Sequence, residues 1–158
     1  QEGVGSQFVI HIPFKIDEEH KNERVKESAS ASIEGLSVLL VEDNELNMEI
    51  ARFIIENEGA KVTCATNGKE AVDIYKNAPE SFDIILMDIM MPEMDGLQAT
   101  QVIRSFDHDI PIVAMTANAF MEDKIKAKKA GMNAHVSKPL DRDILIQVIA
   151  KLRGYKNV

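Results

Sequence analysis

Four stretches of this 158-residue chain run from apolar residues into residues that can do chemistry. Val38 to Val41 leads into Glu42-Asp43, Ile84 to Met87 into Asp88, Ile110 to Met115 into Thr116, and Ala134 to Ser137 into Lys138-Pro139. Taken singly, each polar residue is ordinary: an acid can cap a helix, a threonine can finish a strand, and a lysine can be a solvated surface charge. Taken together, they are the parts needed to receive a phosphoryl group. One carboxylate serves as nucleophile, two others hold a hard cation, and a hydroxyl and an ammonium stabilise charge on the transferred oxygens. Three carboxylates brought close repel one another, and at least one pKa rises unless a cation sits among them. Carboxylate, carbonyl and water ligands without a His or Cys cluster suit Mg²⁺ rather than Zn²⁺.

For these residues to meet, the apolar runs must be strands of one sheet. Ile84 to Met87 is the unbroken apolar run expected of a strand buried on both faces, and Pro92 and Asp95-Gly96 form the turn after it. Helical patterns alternate with the strands. Leu46, Ile50, Phe53 and Ile54 recur at helical spacing before Gly59, and a second strand follows over Lys61 to Thr66. Asn67 and Glu70 then open a helix carrying Ala71, Val72 and Tyr75. Further helices are predicted over Leu97 to Ser105 and Glu122 to Ala130. A last one is capped by Asp141, with Ile144, Leu145, Val148, Ile149 and Leu152 inward. Five βα repeats imply an α/β fold with a parallel sheet, right-handed crossovers and helices on both faces. The flavodoxin-like strand order 2-1-3-4-5 makes strands one and three neighbours at the switch point, where Glu42, Asp43 and Asp88 converge.

Composition narrows the functional classes. With 18 Lys and Arg against 26 Asp and Glu, the net charge of -8 opposes binding to nucleic acid or to anionic lipid surfaces. Cys64 is the only cysteine, which excludes an internal disulfide and fits a reducing, cytoplasmic setting. No apolar run approaches the ~18 residues of a membrane span, so no membrane contact by this piece is expected.

At these residues, Leu36 to Leu152 resembles the receiver domain of two-component response regulators, over about three quarters of the chain. The resemblance rests on V-E-D-N-E-L-N at Val41 to Asn47, M-D-I-M-M-P-E-M-D-G at Met87 to Gly96 and M-T-A-N-A at Met115 to Ala119, and is strongest to receivers fused to hybrid histidine kinases. It implies phosphorylation at Asp88, with Mg²⁺ held by Glu42, Asp43, Asp88 and the Met90 backbone carbonyl. Thr116 and Lys138 become the phosphoryl-stabilising residues, and Lys138-Pro139 a cis peptide. His135 stands where the family often has the aromatic residue of a conformational switch. Met90 and Asn118, two residues beyond Asp88 and Thr116, flank the path of a hydrolytic water and are expected to tune the lifetime of the phosphorylated state. The implied phosphodonor is the phosphohistidine domain of a histidine kinase, with a histidine phosphotransfer protein as downstream partner.

Upstream, G-V-G-S-Q-F-V-I-H-I-P-F at Gly3 to Phe14 resembles the end of the ATP-binding domain of sensor histidine kinases. Residues 1–16 are accordingly expected to be a remnant of that domain, 17–34 a charged, Ser-rich linker and 35–158 the receiver, all part of a longer polypeptide. That parent would be a histidine kinase; this piece, lacking the kinase core, supports only its own phosphorylation and dephosphorylation. Two other readings stand beside this one. An aspartyl-phosphate phosphatase or phosphotransferase needs a second acid two residues after the nucleophile, where Met90 stands. A degenerate docking module is normally betrayed by loss of an acid or the lysine, and none is lost.

Overall fold

The computed structural model describes residues 32–117 and 121–153. Five parallel strands lie in the order β2-β1-β3-β4-β5, with β1 at Ser37–Val41, β2 at Lys61–Ala65, β3 at Ile84–Asp88, β4 at Ile112–Thr116 and β5 at Ala134–Ser137. Helices α1 (Glu45–Asn57), α2 (Gly68–Asn77), α3 (Gly96–Arg104), α4 (Met121–Ala130) and α5 (Arg142–Leu152) alternate with them. This is the expected doubly wound architecture, with element ends displaced by a residue or two.

The central strands are apolar throughout because both their faces are covered. Leu39, Val41, Ile85, Met87, Ile112 and Ala114 point into one core with Ala71 and Tyr75 of α2, and with Ala99 and Ile103 of α3. Their neighbours Val38, Leu40, Ile84, Leu86, Val113 and Met115 point the other way, onto Met48, Ala51 and Ile55 of α1 and Leu145, Ile149 and Leu152 of α5. Strand periodicity of two thus divides one continuous apolar run between two layers. α1 stops where Gly59 takes φ +82°, a left-handed conformation a side chain would strain.

Three expectations are corrected. The inner face of α1 is Met48, Ala51 and Ile55; of the four residues read at helical spacing, Ile54 packs partly buried against that core, whereas Leu46, Ile50 and Phe53 are 65%, 45% and 72% exposed. Both triplets recur at helical spacing, so periodicity alone did not separate them; the larger side chains face outward. On α5 Ile144 is 54% exposed and Ile146 is buried in its stead. Ile33, assigned to the linker, is fully buried among Leu36, Val38 and Ile55, and its carbonyl accepts from the Leu36 N–H at 3.1 Å. The packed region therefore begins before residue 35. The kinase-like stretch and nearly all of the linker lie outside the described residues.

Candidate functional site

Parallel strands deliver their C-terminal ends to one edge of the sheet. Register sets Asp88 opposite Met115, one residue before Thr116, while Val41, one residue before Glu42, pairs with Met87, one residue before Asp88. The carboxylates of Glu42, Asp43 and Asp88 offer oxygens that all lie within 4.8 Å of one another. Lys138, one residue past β5, reaches across with Nζ 2.5 Å from Glu42 Oε2 and 2.6 Å from Asp88 Oδ2. Its bond to Pro139 is cis, as expected, and its N–H donates to the Thr116 carbonyl at 2.8 Å.

Glu42 and Asp88 are buried and Asp43 is exposed, so the cluster has two sheltered acids and one open to solvent. Burial raises the Asp88 pKa above the ordinary aspartate value; the Lys138 hydrogen bond and charge oppose this, and Glu42 adds to it. For Lys138, burial pushes the pKa down, but hydrogen bonds and charge from Asp88 and Glu42 outweigh it and the net shift is upward. Asp88 is thus a desolvated acid whose principal cation is a lysine shared with Glu42. Asp88 Oδ1 also accepts from the Met90 N–H at 3.3 Å. Three oxygen donors with one open flank fit a hard divalent cation, and no other group of three His, Cys, Asp or Glu residues is so arranged among the described residues.

The loop after β3 is held against the acid by Gly96. Its N–H donates to the Ile89 carbonyl at 3.0 Å, and a Cβ built at Gly96 would stand 2.0 Å from the Asp88 carbonyl oxygen. Only glycine fits. Asp95 and Gln98 then start α3 with a reciprocal capping box.

Of the other expected residues, Thr116 is buried at the end of β4, and the Met90 side chain is 76% exposed at the mouth of the site. His135 is exposed on β5; burial of part of its ring and the nearby Lys124 charge lower its pKa. It belongs to the rim of an open cleft of about 300 Å³ between α4 and β5, with Lys124, Lys128 and Met132, not to the carboxylate cluster. Asn118 lies outside the described residues. One contact went unread in the sequence: Asn47 Nδ2 donates to Glu42 Oε1 at 3.1 Å. The signal was an Asn at the third position of α1, where Glu or Gln commonly completes a capping box.

A doubly wound sheet with an acidic triad, a hydroxyl and a lysine at its C-terminal edge defines a phosphoacceptor-type α/β domain. Residues 38–150 match the response regulator receiver domain model, and the chain belongs to that family. It is 34% identical over 142 residues to probable histidine kinase 4 of Oryza sativa subsp. japonica, covering 76% of this chain and 14% of the rice protein. The chain therefore spans a small part of the relatives it matches. Among solved structures, the receiver domain of sensor histidine kinase PA1611 from Pseudomonas aeruginosa, with a magnesium ion coordinated in its active-site cleft, is 35% identical. That match has a TM-score of 0.70 and covers 76% of this chain and 98% of the other. The Saccharomyces cerevisiae receiver domain of Ssk1, solved with the histidine phosphotransfer protein Ypd1, is 29% identical with a TM-score of 0.72, covering 79% and 93%.

Proposed function

We propose that this domain is the phosphoacceptor of a phosphorelay, taking a phosphoryl group from phosphohistidine onto Asp88 with Mg²⁺ as cofactor. The observation that carries the reading is the meeting of Glu42, Asp43 and Asp88 within 4.8 Å, with Lys138 Nζ on two of them. An Asp88 carboxylate oxygen attacks phosphorus in line with the leaving imidazole. The P–N bond breaks, its electron pair stays on the imidazole nitrogen, and an acyl phosphate forms. Glu42, Asp43 and Asp88 would hold the Mg²⁺, which would supply positive charge to offset that of the carboxylates and the phosphoryl oxygens. Lys138 moves its contact from the Asp88 carboxylate to a phosphoryl oxygen, and the Thr116 hydroxyl donates to another. The Met90 carbonyl would be a further protein ligand to the metal. His135 on β5, beside Lys124 and Lys128, is the residue through which the phosphorylated state is read on the surface of α4 and β5. Labelling with acetyl phosphate and Mg²⁺, followed by intact mass measurement, tests the reading. A single phosphoryl addition is expected, absent in Asp88→Asn; undiminished addition in that variant overturns the assignment.

The donor and the downstream partner are read as helical histidine-bearing proteins. Transfer requires their imidazole to come within about 3–3.5 Å of its target, so they must rest on the rim of the site. The exposed apolar stripe of Leu46, Ile50 and Phe53 starts three residues past Asp43 and supplies that rim with a surface for an amphipathic helix. Phe53→Asp is expected to slow transfer from a phosphohistidine protein while leaving acetyl phosphate labelling intact. Equal loss in both assays excludes docking there. We place the domain in the cytoplasm, on the free Cys64 and its intracellular phosphodonor; no helix of the described residues is long and apolar enough to cross a membrane. Residues 1–16 are read as the end of a kinase ATP-binding domain, joined by a linker to the receiver.

A further inference from the structure

The contact between Asn47 and Glu42 belongs to the site although Asn47 is part of no acidic or basic pair. We propose that Asn47 is a positioning residue for metal binding: its amide fixes the Glu42 carboxylate so that the acid faces the Asp43–Asp88 cluster. This rests on the reading of that cluster as an Mg²⁺ site.

The local chemistry of the helix starts carries the inference. α2 and α3 begin alike, with an N-cap side chain accepting from the backbone N–H three residues on, and Glu70 or Gln98 at that third position. Those two side chains act within their own turn: Glu70 accepts from Thr66, and Gln98 accepts from the Asp95 N–H. α1 has the same cap, Asn44 Oδ1 accepting from the Asn47 N–H at 3.1 Å. At its third position, however, it carries Asn47, whose amide turns away from the turn and donates to Glu42 Oε1 at 3.1 Å. The N–H of Asn44, the usual target of a third-position Glu or Gln, is met by Glu42 Oε1 at 3.4 Å instead. Glu42 thus has one oxygen held by two neutral donors of α1 and the other by Lys138.

The residue type suits the place. Glu42 is 2% exposed, so its carboxylate depends on fixed donors rather than water for its orientation. A Glu at position 47 would add a fourth negative charge beside three; the Asn amide offers donors without charge. Partners that orient a metal ligand commonly change metal affinity by 10- to 100-fold when removed.

The test is an NMR titration with MgCl₂ of the native protein, Asn47→Ala, Glu42→Gln and the double variant, each with its melting temperature. Asn47→Ala is expected to weaken Mg²⁺ binding about tenfold in the native background and less than about twofold where Glu42 is already Gln. The native protein's Asn47 side-chain amide resonances are expected to move on Glu42→Gln, a readout that needs no change at Asn47. Unchanged Mg²⁺ affinity in Asn47→Ala, an equal loss in both backgrounds, or unmoved amide resonances overturns the proposal. A lowered melting temperature with native affinity makes Asn47 a helix-start residue only, and likewise overturns it. A native protein that binds no Mg²⁺ would instead overturn the metal-site reading itself.

Discussion

Lys138→Met removes the one cation that, among the described residues, contacts both Glu42 and Asp88 while keeping a long apolar stem, and its cost follows from the burial of its partners. The Glu42 and Asp88 side chains are 2% and 6% exposed and the Lys138 side chain 16%. Removing one partner of a buried ion pair costs about 3–5 kcal/mol, because the remaining charge stays desolvated. Lys138 leaves two such charges, but Asp43 keeps the flank open and water can enter, so a loss of about 3 kcal/mol is expected. For a domain of this size that lowers the melting temperature by about 10 °C in Mg²⁺-free buffer at neutral pH.

The pH dependence has a definite sign. Asp88 has a raised pKa through burial, so the stability tied to its protonated form is present below the ordinary aspartate value and lost as pH rises through the folded one. Without Lys138 its hydrogen bond and its charge no longer lower the Asp88 pKa, only the Met90 N–H does, and the rise is larger. The deficit of Lys138→Met should therefore shrink as pH falls from neutral toward about 4, where a neutral carboxyl needs no cation. Lys138 itself, with a raised pKa, contributes stability that is complete below the ordinary lysine value and lost in alkali. Mg²⁺ stabilises whichever form binds it according to its affinity, and a site freed of the competing ammonium should bind it more tightly. Thermal melts across pH 4–8, with and without MgCl₂, read the acid and the metal effects, and melts extended above about pH 10 read that of Lys138. A melting temperature within 1 °C of native at neutral pH, or a deficit that widens on acidification, refutes the reasoning.

Met90→Glu should shorten the lifetime of phosphorylated Asp88 on the order of tenfold, by placing an acceptor for water where an exposed thioether now stands; the decay of the phosphorylated mass measures it. Gly96→Ala should destabilise by about 3 kcal/mol or more, because its methyl group would meet backbone rather than a side chain that can move, and chemical denaturation reads the loss. Ile33→Ala should cost about 2–5 kcal/mol in the same assay, whereas removal of residues 1–31 should leave the fold and its phosphorylation intact.

What could be read from the sequence was set by how strongly local residues determine the outcome. The apolar strands, each ending in a polar residue, define sheet edge and site together, since parallel βα repeats leave few other arrangements. Asn67 and Asp141 mark helix starts through their own side chains and fall where expected, whereas Asp95, read with Gly96 as a turn, also caps α3. Ile33 escaped because one aliphatic residue among charges and serines has no period to reveal its face. Its burial depends on partners such as Ile55, 22 positions away in the sequence.

α1 shows the same limit with a functional consequence. Met48, Ala51 and Ile55 repeat at the spacing of Leu46, Ile50 and Phe53, so the helix is apolar around much of its circumference. Hydrophobicity favours turning the bulkier set inward, yet the space beside β1 already holds Ile33, Leu36, Val38 and Leu40. The slimmer Ala51 lets the helix approach the sheet closely, and that leaves Leu46 and Phe53 in water. A domain gains no folding energy from two large side chains exposed beside its acidic site. Their position is explained if a partner covers them when it brings a phosphohistidine to Asp88, which makes the misread face of α1 the part of the fold where packing and function pull the sequence in different directions.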